Sequence, residues 1–243
     1  MRVEYIGDAT LILADCMDVM RDMPDKAFDL AIVDPPYGIN ADVRQNEAAL
    51  ARIKADGKSK AGRGWKLYKQ TGWDSGIPKQ KYWDELFRVS KNQIIWGGNY
   101  FTDFLPASMG WVVWNKGQRG FSLADGELAW TSLNVALRIF DYSRAEALQD
   151  GRIHPTQKPV ALYKWLLSRY AKDGDTILDT HGGSGSSVIA CLDMGYPITW
   201  IEKDVNYFEA ALKRIKDFAA QPKLPMDDTP EPVEQWLGFK EEL

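Results

Sequence analysis

The chain has 243 residues, 45% of them hydrophobic, and a formal net charge of −4, enough apolar sequence for one domain with an insertion or two small ones. Two cysteines, Cys16 and Cys191, are too few for a disulfide scaffold and suit buried free thiols in a reducing cytoplasm. No apolar run approaches the roughly 20 residues of a membrane span, the start Met1-Arg2-Val3-Glu4-Tyr5 lacks a signal-peptide pattern, and two histidines without a cysteine pair at ligand spacing argue against bound zinc or another metal.

In chain order, Ala9 to Ala14 reads as a strand, followed by a short helix from about Met17 to Arg21. Phe28 to Val33 is apolar throughout its second half, as expected of a strand covered on both faces. Gln93 to Trp96, Trp111 to Trp114 and Leu128 to Thr131 read as three further strands. Val160 to Tyr170 carries Leu162, Trp165, Leu166 and Tyr170 at helical spacing. Thr176-Ile177-Leu178 is a strand running into a glycine turn, Ser186 to Met194 is the helix after it, and Ile198 to Ile201 is a strand closed by Glu202. Phe208, Ala211, Leu212, Ile215 and Phe218 mark an amphipathic helix. Strands alternating with helices predict an α/β fold with a doubly wound, mostly parallel sheet.

Residues 40–76 break this alternation and read as an insertion. Between Ala41 and Lys81 stand ten Lys/Arg against four acids, a net of +6 that leaves −10 for the rest of the chain. Concentrated positive charge in an acidic protein points to a polyanionic partner at one place, although a mixed charged loop is also an ordinary solvated surface. Trp65, Tyr68 and Trp73 interleave with the basic residues, and Arg63, Trp65, Lys66 and Lys69 are the candidate nucleic-acid contacts. From Gln221 onward, four prolines, six acids and two lysines describe a tail that lies on the domain or stays loose.

Two segments carry chemistry. Asp34-Pro35-Pro36-Tyr37 closes the apolar run Leu30 to Val33. The prolines lack backbone donors, so the carbonyls of Pro35 and Pro36 face outward as acceptors. Asp34 adds a charged acceptor and Tyr37 a flat face for stacking a ring. Such a set can hold a planar amino group; a plain strand-to-loop turn is the simpler alternative. The second segment, Leu178-Asp179-Thr180-His181-Gly182-Gly183-Ser184-Gly185-Ser186, leaves a strand and opens a helix. Its glycines let backbone approach a ligand closely, and Glu202 is placed to accept from ribose hydroxyls. A dinucleotide fingerprint would need a third glycine where Val188 stands, and no Walker-type lysine serves a triphosphate. A ligand with ribose but no phosphates fits better, and S-adenosylmethionine is one.

These residues resemble those of the amino-methylating DNA methyltransferases, which carry Asp/Asn/Ser-Pro-Pro-Tyr/Phe/Trp and a glycine-rich turn of Asp-Pro-Phe-x-Gly-x-Gly type. Here Thr180 stands for the usual proline and His181 for the usual phenylalanine. A further resemblance lies in His154-Pro155-Thr156-Gln157-Lys158-Pro159. The acceptor motif precedes the glycine turn by about 145 positions, which is similar to the permuted β order of that family. The resemblance covers nearly all of Val3 to Phe218. It implies a seven-stranded Rossmann-like methyltransferase domain over 1–220, interrupted by the basic 41–81 segment, with the tail at 221–243.

It also implies S-adenosylmethionine as methyl donor, no metal, and double-stranded DNA as partner, with a homodimer and a partner restriction nuclease as further expectations. The expected catalytic residues are Asp34, Pro35, Pro36 and Tyr37. Those expected at the donor are Asp15, Asp34, Thr156, Lys158, Asp179, His181, Gly183, Gly185, Ser186 and Glu202, with Lys158 at its carboxylate and Asp15 near its adenine. The aspartate form of the acceptor motif resembles the adenine enzymes. The expected reaction is methylation of the exocyclic amine of a flipped-out adenine, with Tyr37 stacked on the ring. N4-cytosine methylation and a catalytically silent DNA-binding module remain the alternatives.

Overall fold

The computed structural model describes residues 1–41, 43–44, 46–47, 50, 72–120, 124–147, 149, 151, 153–154 and 156–222. One nine-stranded sheet runs through it. In chain order the elements are β1 (Arg2–Ile6), β2 (Ala9–Leu13), α1 (Cys16–Met20), β3 (Phe28–Val33), α2 (Gln80–Val89), β4 (Ser90–Trp96), β5 (Trp111–Asn115), β6 (Gly126–Thr131), β7 (Arg138–Asp141), α3 (Arg144–Ala147), α4 (Val160–Tyr170), β8 (Ile177–Asp179), α5 (Ser186–Met194), β9 (Ile198–Glu202) and α6 (Val205–Ala219). The spatial order is β1-β2-β9-β8-β3-β4-β6-β5-β7. The pairs from β2 to β4 are all parallel, whereas β6 is antiparallel to both β4 and β5.

The seven strands from β2 to β5 are the expected sheet. It is two strands wider than expected, because β1 adds antiparallel to β2 at one edge and β7 adds parallel to β5 at the other. Neither addition has an apolar run: only Phe140 of β7 escapes full exposure, and β1 is half-buried at best. Two helices are also unforeseen, the short α3 and the longer α2. The latter begins at Gln80, inside the range assigned to the basic insertion, and buries Tyr82, Trp83, Leu86 and Val89.

Alternation along the central strands splits the core in two, because successive strand side chains point to opposite faces. Leu30, Ile32, Ile94 and Trp96 pack with Leu162 and Leu166 of α4, Val188 and Ile189 of α5, and Phe208 and Ile215 of α6. Ala31, Val33 and Ile95 pack on the other face with Val19 and Met20 of α1 and with Tyr82, Trp83 and Leu86 of α2. The two cysteines are free and buried, one in each half. β3 and β8 are thereby locked side by side, Leu30 against Ile177 and Ala31 against Leu178. Parallel neighbours end at the same edge, so residues 34–37 and 180–186 emerge together, which is where open α/β sheets hold ligands.

No helix among the described residues is long and apolar enough to cross a membrane. The tail from position 223 onward lies outside the described residues.

Candidate active site

A cleft of about 1360 Å³ opens over these strand ends. Asp15, Asp34 to Tyr37, Trp73, Tyr100, Glu127, His154, Thr156, Lys158, Thr180 to Ser184, Glu202 and Tyr207 all line it. Its two sides are built differently.

On the glycine-turn side, carboxylates hold backbone amides. Asp179, at the end of β8, accepts from the His181 N–H at 3.1 Å and from the Ser187 hydroxyl at 2.6 Å. Glu202, at the end of β9, accepts from the Gly183 N–H at 2.9 Å and the Asp204 N–H at 2.7 Å. A carboxylate offers about four lone-pair sites, so Glu202 retains capacity for the hydroxyls expected there. Gly182 lies so close to the buried Trp200 that a Cβ would sit 1.9 Å from its Cε2. Burial pushes the Glu202 carboxyl up, and lifts that of Asp179 to about 7.

His181 presents an aromatic ring to the cleft. Its Nδ1 is 2.9 Å from the Thr180 hydroxyl, and its ring meets Tyr82 of α2 edge to face, 5.2 Å between centroids. Burial, with Lys203 adding to it, drops its pKa to about 3, so the ring is a neutral aromatic wall at ordinary pH. Three residues expected at the donor stand elsewhere. Asp179, Gly185 and Ser186 do not line the cleft. Asp179 is buried behind the turn, Gly185 packs against Ile215, and Ser186 bonds to Ser184 and Arg214. Asp15 lines the cleft while capping α1, its carboxylate accepting from the Met17 N–H at 2.9 Å.

The acceptor side is held by side-chain charges. The Asp34 Oδ1 accepts from the Tyr37 hydroxyl at 2.5 Å, and Oδ2 receives the Lys158 ammonium at 2.5 Å. Lys158 also lies 3.2 Å from Glu127 Oε2, and Glu127 Oε1 is 2.5 Å from Lys116 Nζ. Lys158, expected at the carboxylate of the donor, is therefore the centre of a network with two carboxylates. Its side chain is 2% exposed. Burial alone would lower its pKa, but Asp34 and Glu127 outweigh that and raise it. Glu127, between two ammoniums, is held down to about 2 against the opposing effect of its own burial. Burial pushes Asp34 up, with Glu127 adding to the effect and Lys158 and Tyr37 opposing it.

The loop after the prolines is pinned by Asp74. Its Oδ1 accepts from the backbone N–H groups of Tyr37 at 2.6 Å and Gly38 at 2.8 Å, and Oδ2 from that of Ala41 at 2.8 Å. One face of the Tyr37 ring is stacked on Tyr100 at 4.9 Å and 15°. Gly97 makes that seat possible, because a Cβ there would come within 2.2 Å of the ring. Tyr37 thus has one face covered, with Tyr100 exposed beside it. In the third motif, the Thr156 N–H donates to His154 Nδ1 at 3.3 Å, and the His154 ring packs on Tyr207 at 4.4 Å and Trp73 at 5.3 Å.

Sequence reasoning passed over Glu127, Asp74, Tyr82 and Tyr100. Only the apolar spacing of α2 could have flagged Tyr82. Arg63, Trp65, Lys66 and Lys69 lie outside the described residues. Among the described residues, no group of three or more His, Cys, Asp or Glu side chains could hold a metal ion.

The sequence and the fold match proteins of one class. Residues 79–213, more than half of the chain, match the DNA methylase family model N6_N4_Mtase, and the chain belongs to that family. It is 24% identical to the type II methyltransferase M.HinfI of Haemophilus influenzae, over 91% of this chain and 73% of that protein. Among solved structures it resembles TTHA0409 of Thermus thermophilus complexed with S-adenosyl-L-methionine, with a TM-score of 0.52 and 15% identity, covering 86% of this chain and 95% of the other. It resembles the cytosine-N4-specific PvuII DNA methyltransferase with a TM-score of 0.53 and 11% identity, covering 87% and 91%. At such identities the two structures establish a common fold.

Proposed function

We propose that this protein transfers a methyl group from S-adenosylmethionine to the exocyclic amine of adenine in double-stranded DNA. The observation that carries the reading is the joining of Asp34-Pro35-Pro36-Tyr37 and the Thr180-to-Ser184 turn in one cleft by the β3–β8 pairing. The turn suits the donor. Gly182 and Gly183 leave backbone free of side chains, Glu202 has acceptor sites to spare for a ribose, and the neutral His181 ring is an apolar wall. When bound there, the donor supplies an electrophilic methyl group on a sulfonium.

The chain's own contribution is orientation. The lone pair of an adenine amine is delocalised into the ring, so the amine is a poor nucleophile. Asp34 and the Pro35 carbonyl accept its two hydrogens, draw the nitrogen towards tetrahedral geometry and aim the lone pair along the line of displacement. The Asp34 carboxylate also favours the positive charge that arrives on nitrogen. An amine inside a duplex is shielded by pairing, so the base leaves the stack to reach Asp34. Adenine is favoured over cytosine by the aspartate that opens the acceptor motif.

The basic segment between Ala41 and Lys81 supplies phosphate contacts in this reading, with Arg63, Lys66 and Lys69 foremost. Incubating unmethylated DNA with tritiated S-adenosylmethionine and analysing the nucleosides decides the matter. N6-methyladenine is the expected product. N4-methylcytosine would move the reading to the cytosine enzymes, and no transfer at all would leave a silent DNA-binding module.

A further inference from the structure

Each oxygen of Asp34 already holds one donor. Oδ1 holds the Tyr37 hydroxyl and Oδ2 holds the Lys158 ammonium. An amine that donates to Asp34 competes with one of them for its oxygen. Tyr37 is the harder to move, being stacked on Tyr100, backed by Gly97 and tied through its N–H to Asp74. Lys158 has a flexible stem, but at 2% exposure water cannot take over its charge. An ammonium left buried without an anion is strongly disfavoured. Glu127 Oε2 is 3.2 Å from it, and Lys116 already fixes the other oxygen of that carboxylate.

We propose that Glu127 is a positioning residue that receives Lys158 when the amine engages Asp34. This rests on the methyl-transfer reading above. The ammonium leaves Asp34 Oδ2 for Glu127 Oε2, and the vacated oxygen accepts the amine hydrogen. No proton changes hands: Lys158 remains an ammonium and both acids remain carboxylates. The exchange also removes a cation from Asp34 before methyl transfer places positive charge on the substrate nitrogen. Without it, two cations would share one carboxylate in the transition state.

Asp34 is faced by Lys158, Tyr37 and Glu127, and more distantly by Tyr82 of α2, Tyr163 of α4 and Asp179 of β8. Lys116 faces Glu127. Glu127→Gln keeps the shape and removes the charge, so Lys158 stays on Asp34. The expected result is a kcat lower by about ten- to a hundredfold, with calorimetric affinity for S-adenosylmethionine kept. The acid limb of the kcat profile should move to lower pH, since an anion that disfavours the ionised Asp34 is gone. Lys116→Met should move that limb the other way, because Glu127 then pairs with Lys158 alone.

A folded Glu127→Gln protein with wild-type kcat, or with an acid limb that stays or rises, overturns the proposal. If circular dichroism shows that Glu127→Gln does not fold, Lys116→Met decides alone: an upward shift supports the exchange, and none or a downward one overturns it. A wild-type protein that transfers no methyl group refutes the underlying reading instead.

Discussion

The two sides of the cleft hold their geometry by different means. The glycine turn is fixed by carboxylates on backbone amides, Asp179 to His181 and Glu202 to Gly183, with Gly182 pressed against Trp200. The acceptor side is fixed by the alternating charges of Lys116, Glu127, Lys158 and Asp34. Backbone clamps have little room to rearrange. Ion pairs within 3.2 Å of a second partner can exchange. The glycine-turn side is therefore rigid, and the acceptor side is adjustable.

Substitutions on each side test that division. The largest effect belongs to Asp34→Ala: methyl transfer should fall by roughly 10²–10⁴-fold, while calorimetry finds S-adenosylmethionine still bound. Retained turnover would remove Asp34 from the chemistry. Gly182→Ala attacks the other side, because its Cβ has nowhere to go against the fully buried Trp200. A stability loss of about 3 kcal/mol in urea is expected, together with loss of donor affinity; unchanged affinity would mean that the turn is not rigid.

Asp74→Asn should cost about 2 kcal/mol, because an amide has one accepting oxygen for three backbone donors. It should lower kcat and spare donor affinity, since Asp74 pins only the acceptor loop. If donor affinity falls as far as kcat, the two sides are not independent.

The smallest effect concerns pH. His181 has a folded value near 3 against an ordinary 6.5. The unfolded chain therefore takes up the proton first, and the stability that His181 contributes is present above pH 6.5 and lost as pH falls towards 3. His181→Phe should flatten this part of the acid decline in urea denaturation and keep donor affinity. Asp179 runs the opposite way. Its value, raised to about 7, gives a contribution present below the ordinary carboxylate range and lost as pH rises through 7. A variant that keeps the full acid decline would show that His181 is not the group responsible.

The glycine-turn side was legible in the sequence because its parts are local. Strand, glycines and helix occupy 177–194, and Glu202 closes the next strand, so position along the chain stood for position in space. Asp34 and Tyr37 were legible for the same reason. Their partners were not. Glu127 is the second residue of a largely apolar strand and Asp74 lies within a charged segment, so each reads as an ordinary surface charge until the sheet order joins β6 to β4. Lys158 was singled out as part of a motif, but its partners depend on the same assembly. β1 and β7 escaped notice because edge strands need no continuous apolar run, and α2 because it begins inside a stretch marked by charge.

The strand order also sets a timetable for synthesis. β3 pairs with β4, whose first residues lie only about 60 positions apart, so that part of the sheet can assemble while the chain is still being made. β2 must wait for β9, some 190 positions away, and β3 waits for β8, some 150 positions away. Until those late strands arrive, a nascent chain exposes one edge of β2 and one edge of β3, both meant for the sheet interior. Unpaired interior edges invite pairing with other chains. A polypeptide of this order is most vulnerable to aggregation just before β8 and β9 are made, and its donor-binding turn forms only with them.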